Sequence, residues 1–389
     1  MIKHKIQILN NISSVGLAHL PESGYELTND EAKPDAILLR SQKLHDMDIP
    51  DSLLAVGRAG AGVNNIPVDK MTDNGVVVFN APGANANAVK ELVIAGMLIG
   101  CRNLVPACKF VDGLEGDDAQ IQKQVEAGKN NYSGFELPGR TLGVVGLGAI
   151  GVRIANAARA LGMHVIGFDP RILVEHAWAL SSDVRPVDTI DELLAQSDFI
   201  TFHVPLIDST RDLINTQSLK KVKDNAVILN FARNGIVNDE AACAALDSGQ
   251  LYAYVCDFPS NLLRAHPRVV TFPHLGASTK EAEENCAVMV AEQVREYLEH
   301  GNIQNSVNLP NIKLARAGET RLAILNRNVP DMIGRVSHIL GEVGANIHHM
   351  VNDSRGGIAY TLIDVDCSVC DLAVDKIATI DGVLKIRVL

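Results

Sequence analysis

The strongest chemical signal in this chain is a set of glycines followed at a distance by an aspartate. Gly146, Gly148 and Gly151 form a G-x-G-x-x-G pattern between an apolar segment and a predicted helix. Backbone N–H groups at the start of such a helix bind the phosphates of a dinucleotide. Asp169 lies 18 residues after Gly151, where its carboxylate would accept hydrogen bonds from a ribose and repel a 2′-phosphate. The pattern predicts NAD rather than NADP, and a simple glycine turn with a solvent-exposed aspartate is the alternative.

Arg233 and His274 are the next candidates, because each follows a predicted buried strand. A doubly wound sheet places its ligand crevice at such strand ends. A guanidinium binds a carboxylate through two parallel hydrogen bonds, and an imidazole can accept a hydroxyl proton while hydride leaves the same carbon. Position alone leaves two alternatives open. Arg233 could cap the following helix or pair with Asp239 or Glu240, and His274 could be a structural histidine.

Apolar strands that alternate with amphipathic helices must position these residues. Strands are predicted early in the chain at Lys5–Leu9, Ala36–Arg40, Leu53–Val56 and Val76–Asn80, and later from Thr141–Val145 to Val269–Phe272. The last ~70 residues predict the order βαββαβ, which is the ferredoxin-like plan. We therefore expect an α/β protein with two Rossmann-like doubly wound parallel-sheet domains and a C-terminal ferredoxin-like domain.

The predicted domains are interleaved along the chain. Residues 1–88 and 280–310 would form one discontinuous domain, 89–279 the dinucleotide-binding domain, and 316–389 the C-terminal domain. The apolar helix Ala86–Cys101 is a predicted bridge between the first two.

Composition excludes several classes of partner. Lys and Arg total 35 against 46 Asp and Glu, a formal net charge of −11, so no strong attraction to nucleic acid or anionic membrane is expected. No apolar run is long enough to span a bilayer, and no signal peptide is predicted. The seven scattered cysteines suggest free thiols in a reducing compartment. We expect a soluble cytoplasmic protein without a metal site. Cys367 and Cys370 form a lone C-x-x-C motif, and we expect their side chains to be buried as apolar groups. Metal binding or redox chemistry is the alternative.

Longer motifs resemble the D-isomer-specific 2-hydroxyacid dehydrogenase family. In chain order these are Arg58–Ile66, Asn80–Asn85, the glycine motif with Asp169, His203–Leu206, Ala232–Gly235 and Pro273–Thr279. The resemblance covers essentially the whole chain and is strongest to members that oxidise D-3-phosphoglycerate with NAD and carry a C-terminal ACT domain. It implies that Arg233 orients the substrate carboxylate and that His274 is the acid/base.

The same resemblance implies further site residues. Cofactor contacts are implied for Gly146, Gly148, Ala149, Ile150, Gly151, Asp169, Val204, Pro205, Ala232, Asp257 and Gly276. Substrate contacts are implied for Arg40, Ser41, Arg58 and Asn85, since a phosphate and a carboxylate call for more than one cation; solvated surface arginines are the alternative. Contacts to an L-serine effector across a dimer of ACT domains are implied for Asn326, Asn328 and Asn346, with a role in assembly alone as the alternative.

Three positions depart from the family pattern. A Glu that usually pairs with the catalytic histidine is missing from the segment after Asp257. Asp257, a carboxylate of Glu281–Glu284 or no group at all could take its place. Asn326 stands where those relatives have His, and Asp331 stands where Gly is usual.

The resemblance implies NAD-dependent oxidation of D-3-phosphoglycerate to 3-phosphohydroxypyruvate, the first step of phosphorylated L-serine biosynthesis. It also implies a homo-oligomer, dimer or tetramer, regulated through the ACT domain. A reductase of glyoxylate, hydroxypyruvate or another D-2-hydroxyacid is one alternative. The other is a dinucleotide-sensing regulatory protein without turnover, which the missing Glu favours and the intact Arg233 and His274 oppose.

Overall fold

The computed structural model describes residues 3–366 and 371–389, so the predicted motif of Cys367 and Cys370 lies outside the described residues. The chain divides into two compact units. The first unit is Met1–Ala84 together with Glu283–Leu389, and the second unit is Asn85–Ala282. These limits lie near the expected boundaries at residues 88 and 279. The C-terminal segment belongs to the same compact unit as the N-terminal one, and its existence as a separate domain stays a prediction.

The first unit opens with a five-stranded parallel sheet in the order β2-β1-β3-β4-β5. Its elements are β1 His4–Leu9, α1 Ser14–Leu17, β2 Tyr25–Thr28, β3 Ala36–Leu39, β4 Ala55–Arg58, α2 Val68–Asp73 and β5 Val77–Phe79. All four residues of β3 are buried, as expected for a parallel strand covered on both faces. Leu39 pairs with Arg58, so Arg40 and Arg58 lie together at the carboxyl ends of adjacent strands.

The second unit holds a seven-stranded parallel sheet in the order β12-β11-β10-β9-β6-β7-β8. Its elements are α3 Ala86–Cys101, α4 Leu104–Asp112, α5 Asp118–Gly128, a 3-10 helix Lys129–Tyr132, β6 Thr141–Val145, α6 Ala149–Ala160, β7 His164–Phe168, α7 Val174–Ala179, β8 Arg185–Pro186, α8 Ile190–Gln196, β9 Phe199–Phe202, α9 Thr216–Leu219, β10 Ala226–Asn230, α10 Asp239–Asp247, β11 Leu251–Cys256, α11 Asn261–Ala265 and β12 Val269–Thr271. This is the doubly wound order. The chain first adds β7 and β8 on one side of β6, and then returns to add β9 to β12 on its other side.

The chain returns to the first unit through a long helix and then forms a four-stranded sheet. The elements are α12 Lys280–His300, β13 Thr320–Arg327, α13 Met332–Glu342, β14 Ile347–Arg355, β15 Ile358–Val365, α14 Asp371–Ala378 and β16 Val383–Val388. The strands are antiparallel in the order β14-β15-β13-β16. This confirms the predicted ferredoxin-like plan, and the two parallel sheets confirm the predicted Rossmann-like folds.

Both faces of the antiparallel sheet are covered. Leu322 and Ile324 of β13 pack with α13 residues such as Val336, whereas Ala323 and Leu325 join the core that holds the first sheet. Side chains alternate between faces along a strand, so a central strand between two cores reads as a continuous apolar run.

A buried ion pair fixes this sheet to the preceding helix. Arg321 and Asp364 are fully buried, and the Arg321 Nε and Nη2 atoms donate to the Asp364 carboxylate at 2.6 and 2.8 Å. Burial alone would raise the pKa of Asp364, but the hydrogen bonds from Arg321 hold that pKa below its ordinary value. Arg321 Nη1 also donates to the carbonyls of His300 and Leu314 at 3.0 and 2.9 Å, which joins the end of α12 to β13.

Among the described residues, none of the helices is by itself long and apolar enough to cross a bilayer. The pair α3 and α4, bent by 66° at the break between them, passes that test of length and composition when taken together.

Candidate active site

Close packing requires glycine at two of the three glycine positions in the turn after β6. Gly146 has a φ of +93°, and a Cβ there would lie 2.7 Å from the carbonyl oxygen of His203. A Cβ on Gly151 would lie 1.9 Å from the carbonyl oxygen of Gly146. Gly148 differs, because a Cβ there would meet no described atom within 4 Å. The chain therefore leaves open space beside Gly148, where a pyrophosphate would approach the backbone.

Asp169 organises the same turn. Its Oδ2 atom accepts a hydrogen bond from the Leu147 N–H at 2.9 Å, and its Oδ1 atom accepts one from the Arg171 N–H at 2.9 Å. Each carboxylate oxygen keeps a further lone pair for a ribose hydroxyl. No side chain caps α6 at Gly148 within the described residues, so the first N–H groups of this helix are available to an anion.

The loop after β10 holds Arg233 through the side chain of Asn230. Asn230, which is 1% exposed, donates from Nδ2 to the Arg233 carbonyl at 2.9 Å and accepts from the Ala232 N–H at 3.3 Å. The Arg233 side chain is exposed, and its Nη1 donates to the Ala232 carbonyl at 2.7 Å. The backbone of the loop is thus fixed while most of the guanidinium donors remain open.

The structure of the second unit does not support the two alternative roles of Arg233, which were to cap the following helix and to pair with Asp239 or Glu240. Asn238 caps α10, because its Oδ1 accepts from the Ala241 N–H at 3.0 Å. Asp239 accepts a hydrogen bond from the Ser260 hydroxyl at 2.8 Å. Within the described part of this unit, Arg233 forms no ion pair with Asp239 or Glu240.

Asp257 holds the loop that carries His274. Its side chain is 1% exposed, and its Oδ1 and Oδ2 atoms accept from the Leu275 and Gly276 N–H groups, each at 2.7 Å. His274 itself is exposed with a φ of +57°, and the ring of Phe258 lies edge-on to it at 5.2 Å between centroids. Both carboxylate oxygens of Asp257 are therefore directed to the backbone rather than to the imidazole. Among the described residues 85–282, no carboxylate lies within ion-pair distance of His274. The implied nicotinamide contact of Asp257 stays a prediction.

Aromatic packing links the two loops. The rings of Phe231 and Phe272, which precede Arg233 and His274, stack with centroids 6.2 Å apart. Because β10 and β12 both pair with β11, their following loops leave the same edge of the sheet.

His203 is a residue whose role the sequence did not indicate. Its Nε2 lies 2.9 Å from the Thr201 hydroxyl, while its Nδ1 is buried without a partner among the described residues. Burial lowers the pKa of His203 from 6.5 to about 3, so the imidazole is neutral near pH 7. Its carbonyl borders Gly146, and Val204 and Pro205 follow it. The available signal in the sequence was a histidine directly after a buried strand.

Asn85 begins the second unit, so it lies in a different unit from Arg40 and Arg58. Its Oδ1 atom is buried without a hydrogen-bond partner in the part of the chain that the structure describes. A buried unpaired acceptor of this kind requires a partner that the described residues do not supply.

In the first unit, the side chains of the two arginines at the ends of β3 and β4 contact other groups of the protein. Arg40 Nη1 lies 2.7 Å from Glu283 Oε1, and Arg58 Nε donates to the Arg40 carbonyl at 3.0 Å. Burial raises the pKa of the Cys286 thiol, against the opposing influence of the Arg58 and Arg40 guanidiniums. Both cations therefore act on Cys286 of α12, and the carboxylate of Glu283 opposes them.

Two asparagines shape the loop that carries Ser41. Asn10, with a φ of +66°, accepts from the Ser41 and Gln42 N–H groups at 3.1 and 2.6 Å. Asn65, which is 8% exposed, donates to the carbonyls of Arg40 and Gln42 at 3.3 and 2.7 Å. Ser41 is exposed at the tip of this loop.

The three predicted effector residues do not line one common pocket within a single chain. Asn326 is 2% exposed, donates from Nδ2 to the Arg327 carbonyl at 2.6 Å and has no described partner for Oδ1. It lines a narrow pocket with Thr361 and apolar side chains. Asn328 and Asn346 are exposed and do not line that pocket.

Asp331 adopts a left-handed backbone conformation at the position where the resemblance led us to expect glycine. Its φ is +63°, a conformation that aspartate adopts more readily than most residues.

Comparisons with known proteins agree with this architecture. Residues 109–276 match the family described as D-isomer specific 2-hydroxyacid dehydrogenase, NAD binding domain. A D-3-phosphoglycerate dehydrogenase from Haemophilus influenzae is 30% identical over 349 residues, which cover 87% of this chain and 81% of the relative. The chain belongs to the D-isomer-specific 2-hydroxyacid dehydrogenase family, and the predicted family and NAD-binding domain are confirmed.

Two further proteins give the range of the similarity. A D-3-phosphoglycerate dehydrogenase from Methanocaldococcus jannaschii is 35% identical over 340 residues, which cover 85% of this chain. The chain spans 62% of the length of that relative. The NAD+-bound 3-phosphoglycerate dehydrogenase of Entamoeba histolytica has a TM-score of 0.60 at 25% identity, over 79% of this chain and 99% of that chain. The assignment of the C-terminal sheet to an ACT domain stays a prediction.

Proposed function

We propose that this chain oxidises D-3-phosphoglycerate to 3-phosphohydroxypyruvate with NAD, the first step of phosphorylated L-serine biosynthesis. The observation that carries the proposal is an exposed guanidinium and an exposed imidazole on two loops at one edge of the dinucleotide-binding sheet. Arg233 and His274 follow β10 and β12, and the stacked rings of Phe231 and Phe272 join their loops. The names of the similar proteins support this choice of substrate.

The two side chains divide the chemistry between them. The Arg233 guanidinium holds the substrate carboxylate with two parallel hydrogen bonds and so fixes the neighbouring carbon, C2. A neutral nitrogen of His274 accepts the proton of the C2 hydroxyl while the C2–H bond breaks and its electron pair leaves with the hydrogen as hydride. The C2–O bond becomes a carbonyl, and His274 later releases its proton to solvent. In the reverse direction, His274 donates that proton.

When bound, NAD+ supplies the acceptor for the hydride. The residues present fit this group, because the chain leaves space beside Gly148 and leaves the first N–H groups of α6 uncapped. Ala149, Ile150 and Gly151 would hold the pyrophosphate, and Asp169 would accept from the adenosine ribose. The remaining contacts that we propose are Val204, Pro205, Ala232, Asp257 and Gly276.

The far end of the substrate carries a phosphate, for which we propose Arg40, Ser41 and Arg58, with Asn85 as a neutral contact. The pairing of Arg40 with Glu283 at 2.7 Å is the observation that favours a second candidate function. A guanidinium already neutralised by a carboxylate suits a small unphosphorylated acid such as glyoxylate or hydroxypyruvate.

Initial rates of NADH oxidation with 3-phosphohydroxypyruvate and with hydroxypyruvate test the proposal. We expect a strong preference in kcat/KM for the phosphorylated acid, whereas an equal or reversed preference would support the second candidate. His274→Ala should remove turnover while fluorescence titration still detects bound NADH. Unchanged turnover in this variant would contradict the proposed acid/base, and a wild-type chain that binds NADH without turnover would support a regulatory protein.

Regulation, assembly and location belong to the same proposal. We propose that the C-terminal sheet is an ACT domain that binds L-serine between two copies of a homo-oligomer, with Asn326, Asn328 and Asn346 as contacts. The unpaired Oδ1 of Asn326 supports this assignment. Repeating the rate measurements with L-serine tests it. The free thiols of Cys101, Cys108, Cys243, Cys256 and Cys286 support a cytoplasmic location.

A further inference from the structure

A second cleft lies in the first unit and is lined by none of the residues assigned above. One wall is a single face of α12, on which Glu292 and Gln293 lie three and four residues after Met289, and Glu296 lies three residues after Gln293. The opposite wall is the segment 302–313, whose Ile303 and Ile312 exchange backbone hydrogen bonds at 2.8 and 2.9 Å. The cleft has a volume of about 600 Å³, which is in the range of small-molecule sites.

Gln293 is the observation that points to a ligand in this cleft. Its side chain is 8% exposed, and both its Nε2 and its Oε1 atoms are buried without a hydrogen-bond partner among the described residues. Leaving both polar atoms of a buried amide unpaired is unfavourable, so such groups are normally satisfied. A single ligand that satisfies both atoms offers a donor and an acceptor close together.

The charged groups around Gln293 narrow the class of ligand. Glu292, whose Oε1 lies 3.1 Å from His19 Nδ1, and Glu296 contribute two carboxylates, and the exposed Lys313 contributes one ammonium group. Two acidic groups disfavour a phosphorylated ligand. A simple cation would leave Nε2 unsatisfied, and a simple anion would leave Oε1 unsatisfied.

The rest of the wall is held in place. Asn302, which is 7% exposed, donates to Glu296 Oε1 at 2.6 Å and accepts from the Leu314 N–H at 2.9 Å. Asn311 Oδ1 accepts from the Asn305 N–H at 3.0 Å. These bonds fix the 302–313 segment against α12, so the cleft is formed in the free chain.

We propose that this cleft binds a free α-amino acid as its zwitterion. The ligand ammonium would donate to Gln293 Oε1 and to the carboxylate of Glu296. The ligand carboxylate would accept from Gln293 Nε2 and from Lys313, and its side chain would contact Met289. This site is distinct from the serine site proposed in the C-terminal sheet, and its occupancy does not depend on the proposed dehydrogenase activity.

Thermal unfolding of the full chain with a panel of standard amino acids other than L-serine, each at millimolar concentration, tests the site. We expect at least one amino acid to raise the unfolding midpoint of the wild-type chain, since a ligand that binds only the folded state stabilises it. Its N-acetyl derivative, which lacks the ammonium group, and its amide, which lacks the carboxylate, should each bind about tenfold more weakly or worse.

Two variants locate the effect and a third serves as the matched control. Gln293→Leu removes both unpaired atoms, so it should fold at least as well as the wild type and lose the response. Lys313→Gln changes an exposed side chain and should weaken binding about tenfold, which keeps the test decisive should the buried variant fail to fold. Asn326→Ala should keep the full response. The proposal is overturned by a panel without any effect, by equal responses in the Lys313 and Gln293 variants and the wild type, or by loss of the response in Asn326→Ala alone.

Discussion

The loops that follow the second sheet and the loops that follow the first sheet hold their functional side chains in different ways. In the second unit, Asn230 and Asp257 bind loop backbone, while Arg233 and His274 stay exposed. In the first unit, Asn10 and Asn65 likewise bind loop backbone, but the Arg40 side chain is itself paired with Glu283. Separate residues thus position the loops in both units, while the functional side chains are left open in the second unit and one is paired in the first. Substitutions of the functional side chains should therefore change activity with little effect on stability in the second unit.

Arg233→Lys tests the chemical half of this division and should have the largest effect. Lysine keeps the charge but lacks the planar fork, so we expect kcat/KM to fall about 100-fold. The unfolding midpoint should not change, because Asn230 and not the guanidinium holds the loop. Steady-state kinetics and thermal unfolding check both values, with the exposed Arg264→Lys on α11 as control. A large loss of stability would show that Arg233 is structural.

Asp257→Asn tests the positioning half. The amide can accept from only one of the two loop N–H groups, so the free energy of unfolding should fall by about 1–3 kcal/mol. We expect kcat to fall about tenfold, with a smaller change in KM, because His274 loses its fixed position. Chemical denaturation and kinetics measure these effects, and Asp239→Asn at the start of α10 is the control. An unchanged kcat would separate the loop from catalysis.

His203 gives a pH-dependent test of the same unit. Its pKa is about 3 in the folded chain and near 6.5 when unfolded, so between these values the unfolded chain binds a proton that the folded chain does not. Stability from this group is complete above pH 6.5 and is lost as the pH falls, by up to about 1.4 kcal/mol per pH unit. His203→Gln should flatten this part of the curve, and the exposed His164→Gln should not. Equal slopes in all three chains would refute the assignment.

Glu283→Gln should have the smallest effect and tests the first unit. It releases Arg40 from an exposed ion pair, which is worth about 0–1 kcal/mol. We expect KM for the phosphorylated substrate to fall about twofold to fivefold at low salt, and the difference to vanish at high salt. Asp183→Asn, which breaks a comparable pair with Arg159 in the second unit, is the control. A higher KM would mean that Glu283 orients Arg40 for the substrate.

Local sequence patterns predicted the elements well because apolar periodicity and glycine spacing encode them. The glycine turn, the main strands and the βαββαβ order follow from such patterns. The edge strand β2 was not predicted, since only Tyr25 of its four residues is buried and it has no apolar run. Partnerships between distant residues were also missed. Asp257 binds a loop 18 residues away, and Arg40 pairs with Glu283 near the start of α12, and both depend on how the elements pack.

The first unit is assembled from the two ends of the chain, which has a consequence for its synthesis. Ile6, Leu38 and Phe79 share one core with Tyr297 and Leu362. On the ribosome, the first sheet must wait with an uncovered face until α12 and the antiparallel sheet have been made. At about 5–20 residues per second this interval is on the order of tens of seconds. The second unit is continuous in sequence and can fold during that time, so we expect it to form first and the N-terminal strands to need protection from aggregation meanwhile.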